Sequence, residues 1–210
     1  MRLKPLISLI TATLCFAPLI VQAQTTEKSP WMVRARVVDL LFKNSQTQTV
    51  QTADVKAENT IIPEFDVSYF FTKNIATELV LTYPQNIPIN AGAGQSQIGK
   101  ITALPPSLLL QYHFTNLGLL KPYVGAGINY TIFGNRNNFP GLPGVQVDKS
   151  SVGSAWQVGF DYMLDKNWGI NLDLKYIRMS TEVKVVTSGV SLGQLTLNPW
   201  TPSIGVTYRF

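Results

Sequence analysis

Cysteine is all but missing from this chain. Its 210 residues hold one, Cys15, in an N-terminal stretch that reads as a secretory signal. Without that stretch no disulfide and no thiolate metal site can form. Histidine is as scarce: His113 is the only one, which argues against zinc. Charged residues make up 14% of the chain, against about 25% in soluble domains, so much of the surface should face something other than water. Removing Arg2 and Lys4 with the signal takes the basic residues from 17 to 15 against 12 acidic, a net +3. No Lys/Arg run forms a basic patch, and nucleic acid is not an expected partner.

The expected signal covers residues 1–23. Arg2 and Lys4 are its positive start, Leu6 to Ile20 its apolar stretch, and Val21-Gln22-Ala23 its cleavage site ahead of polar Gln24. An anchor helix is the alternative, disfavoured by the short apolar run and by Pro18. The remaining domain, 24–210, has no apolar run near the roughly 18 residues of a spanning helix.

It has alternation with period two instead. Phe65, Val67, Tyr69 and Phe71 lie opposite Glu64, Asp66 and Ser68. Leu79, Leu81 and Tyr83 oppose Glu78, Val80 and Thr82, and Leu108, Leu110, Tyr112 and Phe114 oppose Ser107, Leu109, Gln111 and His113. Val124, Ile128 and Tyr130 oppose Gly125, Gly127 and Asn129. The segments around Val158, Leu172, Val206 and Val33 repeat the pattern, which gives eight strands. Lipid offers no hydrogen bonds to the backbone, so a spanning protein without helices must close into a barrel with its apolar face outward.

Aromatic residues gather at strand ends: Phe70, Phe71, Tyr83, Tyr112, Phe114, Tyr123, Tyr162, Trp168, Trp200, Tyr208 and Phe210. They read as two interfacial girdles. Short turns near 72–74, 115–120 and 165–167 alternate with long polar or Gly/Pro-rich stretches at 43–59, 84–103, 134–151 and 180–195. The expected fold is therefore an all-β, eight-stranded, antiparallel, up-and-down transmembrane β-barrel with short periplasmic turns and long extracellular loops, in the outer membrane of a Gram-negative bacterium. A soluble sandwich or lipocalin-like barrel would put its charges outward; here the apolar face is nearly free of them. The closing Tyr208-Arg209-Phe210 resembles the signal that barrel assembly machinery reads through a terminal Phe. That machinery, outer-membrane lipid and lipopolysaccharide are the expected partners.

Several stretches resemble the OmpW family of small outer-membrane proteins. Lys121-Pro122-Tyr123-Val124-Gly125-Ala126-Gly127-Ile128-Asn129-Tyr130-Thr131 is the most specific of them. Arg34-Ala35-Arg36, Ala76-Thr77-Glu78-Leu79, Leu104-Pro105-Pro106-Ser107, Trp156 to Tyr162, Lys166-Asn167-Trp168 and Leu197-Asn198-Pro199-Trp200 add to it. The resemblance implies a narrow channel that passes small hydrophobic solutes, with a floor of apolar side chains. The matching floor positions are Val80 and Lys175; Lys175 stands where the family has an aromatic, so it should pair with Asp173, Glu78 or another lumen carboxylate. Pro105 and Pro106 lack a ladder donor and are candidates for a lateral opening near the outer rim; alternatively they only begin a strand.

Arg34, Arg36, Glu64, Asp66, Glu78, Asp161, Asp173 and Arg209, with Lys175, are expected to fill the barrel as a lumen charge network. Acid-base chemistry is the competing reading. A hydrolase would need Ser or Thr beside His and a carboxylate, and His113 lies at the wrong end of the barrel for the outer leaflet. No catalytic residue, metal or cofactor is expected. Asp148 and Glu182 are isolated loop acids, a weak basis for calcium. A narrow polar or ion-conducting pore, and a receptor or structural barrel acting through its loops, remain the alternatives to a hydrophobic channel.

Overall fold

In a computed structural model the described residues are 29–210; the expected signal segment 1–23 and its cleavage site lie outside them. Eight strands form the wall: β1 Trp31–Leu40, β2 Thr60–Phe70, β3 Ile75–Thr82, β4 Ser107–His113, β5 Leu120–Gly134, β6 Ser150–Met163, β7 Trp168–Ile177 and β8 Trp200–Arg209. Each pairs antiparallel with the next in sequence. The ring closes where β1 meets β8, from Met32 opposite Arg209 to Val38 opposite Ser203.

The side chains sort as the alternation predicts. Leu110 is 60% exposed, Val158 52% and Ile204 56%, all on the outside, while Arg34, Asp66, Glu78 and Lys175 are buried within. A water-soluble barrel reverses this; a lipid-facing wall requires it. The inner face is polar because an eight-stranded ring is just wide enough for its own side chains to fill.

Short turns at 71–74, 114–119 and 164–167 mark one end, together with the start of β1 and the end of β8. Local chemistry makes them tight. The Thr72 hydroxyl accepts from the Asn74 and Ile75 amides, and the Asp165 carboxylate accepts from those of Asn167 and Trp168, both at 2.7 Å. The Trp168 amide, then that of Asn167, holds the Asp165 carboxyl below the usual carboxylate range.

The long connections at the other end are more ordered than their Gly and Pro content suggests. Strands Gln85–Ala91 and Ser96–Leu104 form a hairpin that prolongs β3 and β4 beyond the ring. Val145–Val147, Ser180–Val185, Ser191–Thr196 and Ser45–Gln46 build a separate four-stranded sheet, with a helix at Gln48–Thr52 beside it. Their inward side chains, among them Ile87, Ile89, Ile101, Phe139 and Leu195, join Val80, Leu109 and Ala155 of the ring in one buried apolar cluster. This cluster caps the barrel.

Candidate functional site

Below the cap the barrel is filled by ions. The Arg34 guanidinium meets Asp161 with two parallel bonds, Nε to Oδ1 at 3.1 Å and Nη2 to Oδ2 at 2.7 Å, and also pairs with Glu78. Arg36 pairs with Asp66 and reaches Glu64 at 3.2 Å, Asp173 at 3.2 Å and Glu78 at 3.4 Å. Lys175 Nζ lies 2.7 Å from Glu64 Oε1 and 2.9 Å from Asp173 Oδ1. Three cations thus interlock with five carboxylates, and the planar fork of arginine suits the positions that serve several acids. The rows that bring them together are cross-strand: Arg34 lies opposite Asp66, and Arg36 opposite Glu64.

Neutral groups that sequence reasoning left out of the network complete it. Tyr123 donates its hydroxyl to Asp173 at 2.8 Å, and Asn171 donates to Tyr123 at 3.0 Å and to Asp161 at 2.9 Å. Gln157 donates to Glu78 at 2.9 Å, and Gln111 to Gln157 at 2.8 Å. The Tyr123 ring lies against Gly159, where a Cβ would stand 2.6 Å from the phenol carbon and oxygen. Only glycine leaves room for it.

Two aromatic residues expected in the girdles are inside instead. Tyr123 and Phe70 are both buried, and the parity of their neighbours Val124 and Phe71, which face outward, accounts for it. Toward the turn end they build a stack: Arg209 lies 4.1 Å from the Phe70 centroid, Phe70 is 4.8 Å from His113, His113 is 5.0 Å from Tyr123, and Arg34 lies 4.6 Å from Tyr123. Arg209, expected in the charge network, makes no ion pair among the described residues; it closes this stack. Val80 and Lys175, expected together at a constriction, stand on walls four strands apart. Val80 belongs to the apolar cap and Lys175 to the ionic layer.

The Pro105–Pro106 pair sits between strand Ser96–Leu104 and β4, directly before Ser107. On the β5 side the seam is shut: Pro106 accepts from the Tyr130 amide, and the Asn129 side chain donates to both proline carbonyls. On the other side the β3–β4 ladder stops at Val80–Ser107 and pairing resumes only at Gln85–Ala103. A longer break lies one seam further round. The β2–β3 ladder stops at Glu64–Thr82, and contact returns only where the Glu58 amide donates to Pro88, beyond which Lys56 and Ala57 pair with Asn90 and Ile89. Pro63 and Pro84, which sequence reasoning did not single out, flank this gap. Residues 83 and 84 are therefore laddered on neither side, and 81 and 82 only on the β2 side. Beside them an outward groove of about 610 Å³ is lined by Val37, Pro63, Phe65, Leu81, Thr82 and Tyr83, among others.

In the loops, Lys184 joins the two acids that looked isolated, donating to Asp148 and Glu182 at 2.8 Å each. These bonds hold the Lys184 ammonium above its ordinary range and the Glu182 carboxyl below its own.

The OmpW family model matches residues 27–210. The chain belongs to the OmpW family. Among its relatives, the uncharacterized outer-membrane protein y4mB of Sinorhizobium fredii is 46% identical over 186 residues, 87% of this chain and 80% of that one. Outer membrane protein W of Vibrio cholerae is 30% identical, covering 88% and 90%. The dibenzothiophene metabolism operon protein PahQ of Pseudomonas aeruginosa is 28% identical, covering 96% and 100%. In fold, the crystal structure of the outer membrane protein OprG from P. aeruginosa matches with a TM-score of 0.73 at 23% identity, covering 87% of this chain and 97% of that one. This OmpW-family barrel is an outer-membrane protein, with its short turns in the periplasm and its long connections outside.

Proposed function

We propose that this barrel is a passive channel for small hydrophobic or amphiphilic molecules, and that they leave it sideways. What supports the reading is the wall at 83–84. The ladder is missing there on both edges, close to the outer rim, with apolar side chains on either side of the gap. Ile87 and Val80 lie within, and the groove floored by Val37, Phe65 and Leu81 lies without. A backbone segment bonded to neither neighbour moves at low cost, and an apolar solute crossing it stays in apolar surroundings throughout. The lateral opening expected at Pro105 and Pro106 thus falls mainly at the neighbouring seam that Pro63 and Pro84 flank. One relative's name joins it to dibenzothiophene metabolism, and dibenzothiophene is a flat apolar molecule of this kind.

The ionic layer argues against a polar or ion-conducting pore. Each cation is held by two or more carboxylates in a lumen with little spare width, so the periplasmic half acts as a plug. His113, pinned between Phe70 and Tyr123, is far from the outer leaflet, and the reading is non-enzymatic. The test is a staple. Pro63 and Tyr83 are the next pair in register after Glu64–Thr82 and both face outward; the variant Pro63→Cys/Tyr83→Cys, oxidised, should bridge the gap. Uptake of a fluorescent polycyclic aromatic into cells should fall severalfold on oxidation and recover on reduction. Uptake indifferent to the oxidation state rules out sideways release at this seam.

A further inference from the structure

On the opposite side of the ring the outer rim carries a different device. Trp156, Tyr176 and Trp200 lie opposite one another on β6, β7 and β8, and a bridge joins Trp200 to Leu41 at the end of β1. The Tyr176 and Trp200 rings touch at 4.9 Å. Immediately above this row stand two exposed cations. Arg178 follows Tyr176 by two residues, its amide fixed to the Ser154 carbonyl at 2.9 Å; Lys43 follows Leu41 by two, its amide fixed to the Leu197 carbonyl at 3.0 Å. Neither side chain pairs with an acid among the described residues. Their strands are two steps apart in the sheet, so the backbones stand about 10 Å apart.

Their height is set by the strand. Arg178 lies ten residues beyond Trp168 of the inner girdle. At about 3.3 Å per residue and a tilt near 40° this is about 25 Å, the height of the apolar band. The cations therefore sit where the acyl region ends and headgroups begin, with aromatic rings below them. On the same strand as Lys43, Asp39 faces outward four residues nearer the midplane, about 13 Å away, too far to neutralise it.

We propose that Lys43 and Arg178 seat the phosphates of a phosphorylated glycolipid of the outer leaflet, whose acyl chains then lie along the Trp156–Tyr176–Trp200 row. A soluble phosphorylated solute would use the charges but not the aromatic row, so the two together favour the lipid. The assignment is independent of what passes through the barrel.

The barrel would be placed in nanodiscs with bisphosphorylated lipid A or its dephosphorylated counterpart, and the lipid retained on purification quantified by native mass spectrometry. Wild type should retain the bisphosphorylated form about 25-fold better, and 1 M salt should erase most of that preference. Each cation near an anionic surface contributes about fivefold, so Lys43→Gln/Arg178→Gln should bring the ratio close to one. The charge-conserving Lys43→Arg/Arg178→Lys should preserve it, and Lys100→Gln, on the loop hairpin, should not alter it. A preference that survives the double glutamine variant or high salt overturns the proposal. So does displacement of the lipid by millimolar inorganic phosphate, which would mark a site for soluble anions. Should the glutamine variant fail to form a heat-modifiable barrel, the salt titration and the charge-conserving variant still decide.

Discussion

Replacing Lys175 by methionine keeps the length of the side chain and removes its charge. Two carboxylates feel the loss: Glu64, now 2.7 Å from the ammonium, and Asp173, at 2.9 Å. Both keep Arg36 at 3.2 Å, so neither is stranded, but the layer passes from three cations against five carboxylates to two against five. Removing one partner of a buried pair costs about 3–5 kcal/mol, and with Arg36 still in place the expected loss is about 3 kcal/mol. Neutralising Glu64 in the same chain, as Lys175→Met/Glu64→Gln, removes the worst-placed excess charge and should return about 1–2 kcal/mol. The double variant will then be more stable than the sum of the singles predicts. The assay is urea unfolding of the barrel in lipid vesicles, read by tryptophan fluorescence and by the electrophoretic shift of the folded form. A loss under about 1 kcal/mol, or strict additivity of the two changes, refutes the picture of a shared buried layer.

Other consequences follow from single contacts. Gly159→Ala puts a Cβ 2.6 Å from the Tyr123 ring and 2.7 Å from the Leu172 carbonyl; overpacking of this kind costs about 1–3 kcal/mol, and a variant as stable as wild type in the same unfolding assay would contradict the packing described. Asp165 predicts a pH dependence. Its carboxyl is depressed in the folded state, so the stability it contributes is complete above the unfolded value, about pH 4, and is lost as the pH falls through the lower folded value. Asp165→Ala should therefore lower the thermal midpoint at pH 7, and the gap to wild type should narrow progressively as the pH falls below about 4; a gap that stays constant on acidification would show that the turn does not depend on the ionised side chain.

The membrane wall was legible from composition and parity alone, because a two-residue period fixes which side chains share a face. Parity also held the answer for Tyr123 and Phe70. Each alternates with an outward neighbour, but an aromatic residue at a strand end fits a girdle as readily as a lumen, and composition outweighed position. The ordered outer hairpin was hidden for a similar reason: Ile87 and Ile89, which alternate with Pro88 and Asn90, lie in a stretch whose Gly and Pro content reads as loop. Two features were beyond reach. Which acid meets which cation depends on strand tilt and stagger, and the gap at 83–84 emerges only once Pro63 and Pro84 are known to flank the same seam.

The ionic layer also acts before the protein works at all. Because side chains alternate, a slip of one residue in the pairing of β1 would turn Arg34 and Arg36 outward into hydrocarbon and bring Val33, Ala35 and Val37 against the acids. Each arginine so exposed near the midplane costs about 2–4 kcal/mol, and the abandoned carboxylates add to it. Mispaired rings are thus rejected by their own charges, and the assembling chain carries a built-in proof-reader for closure.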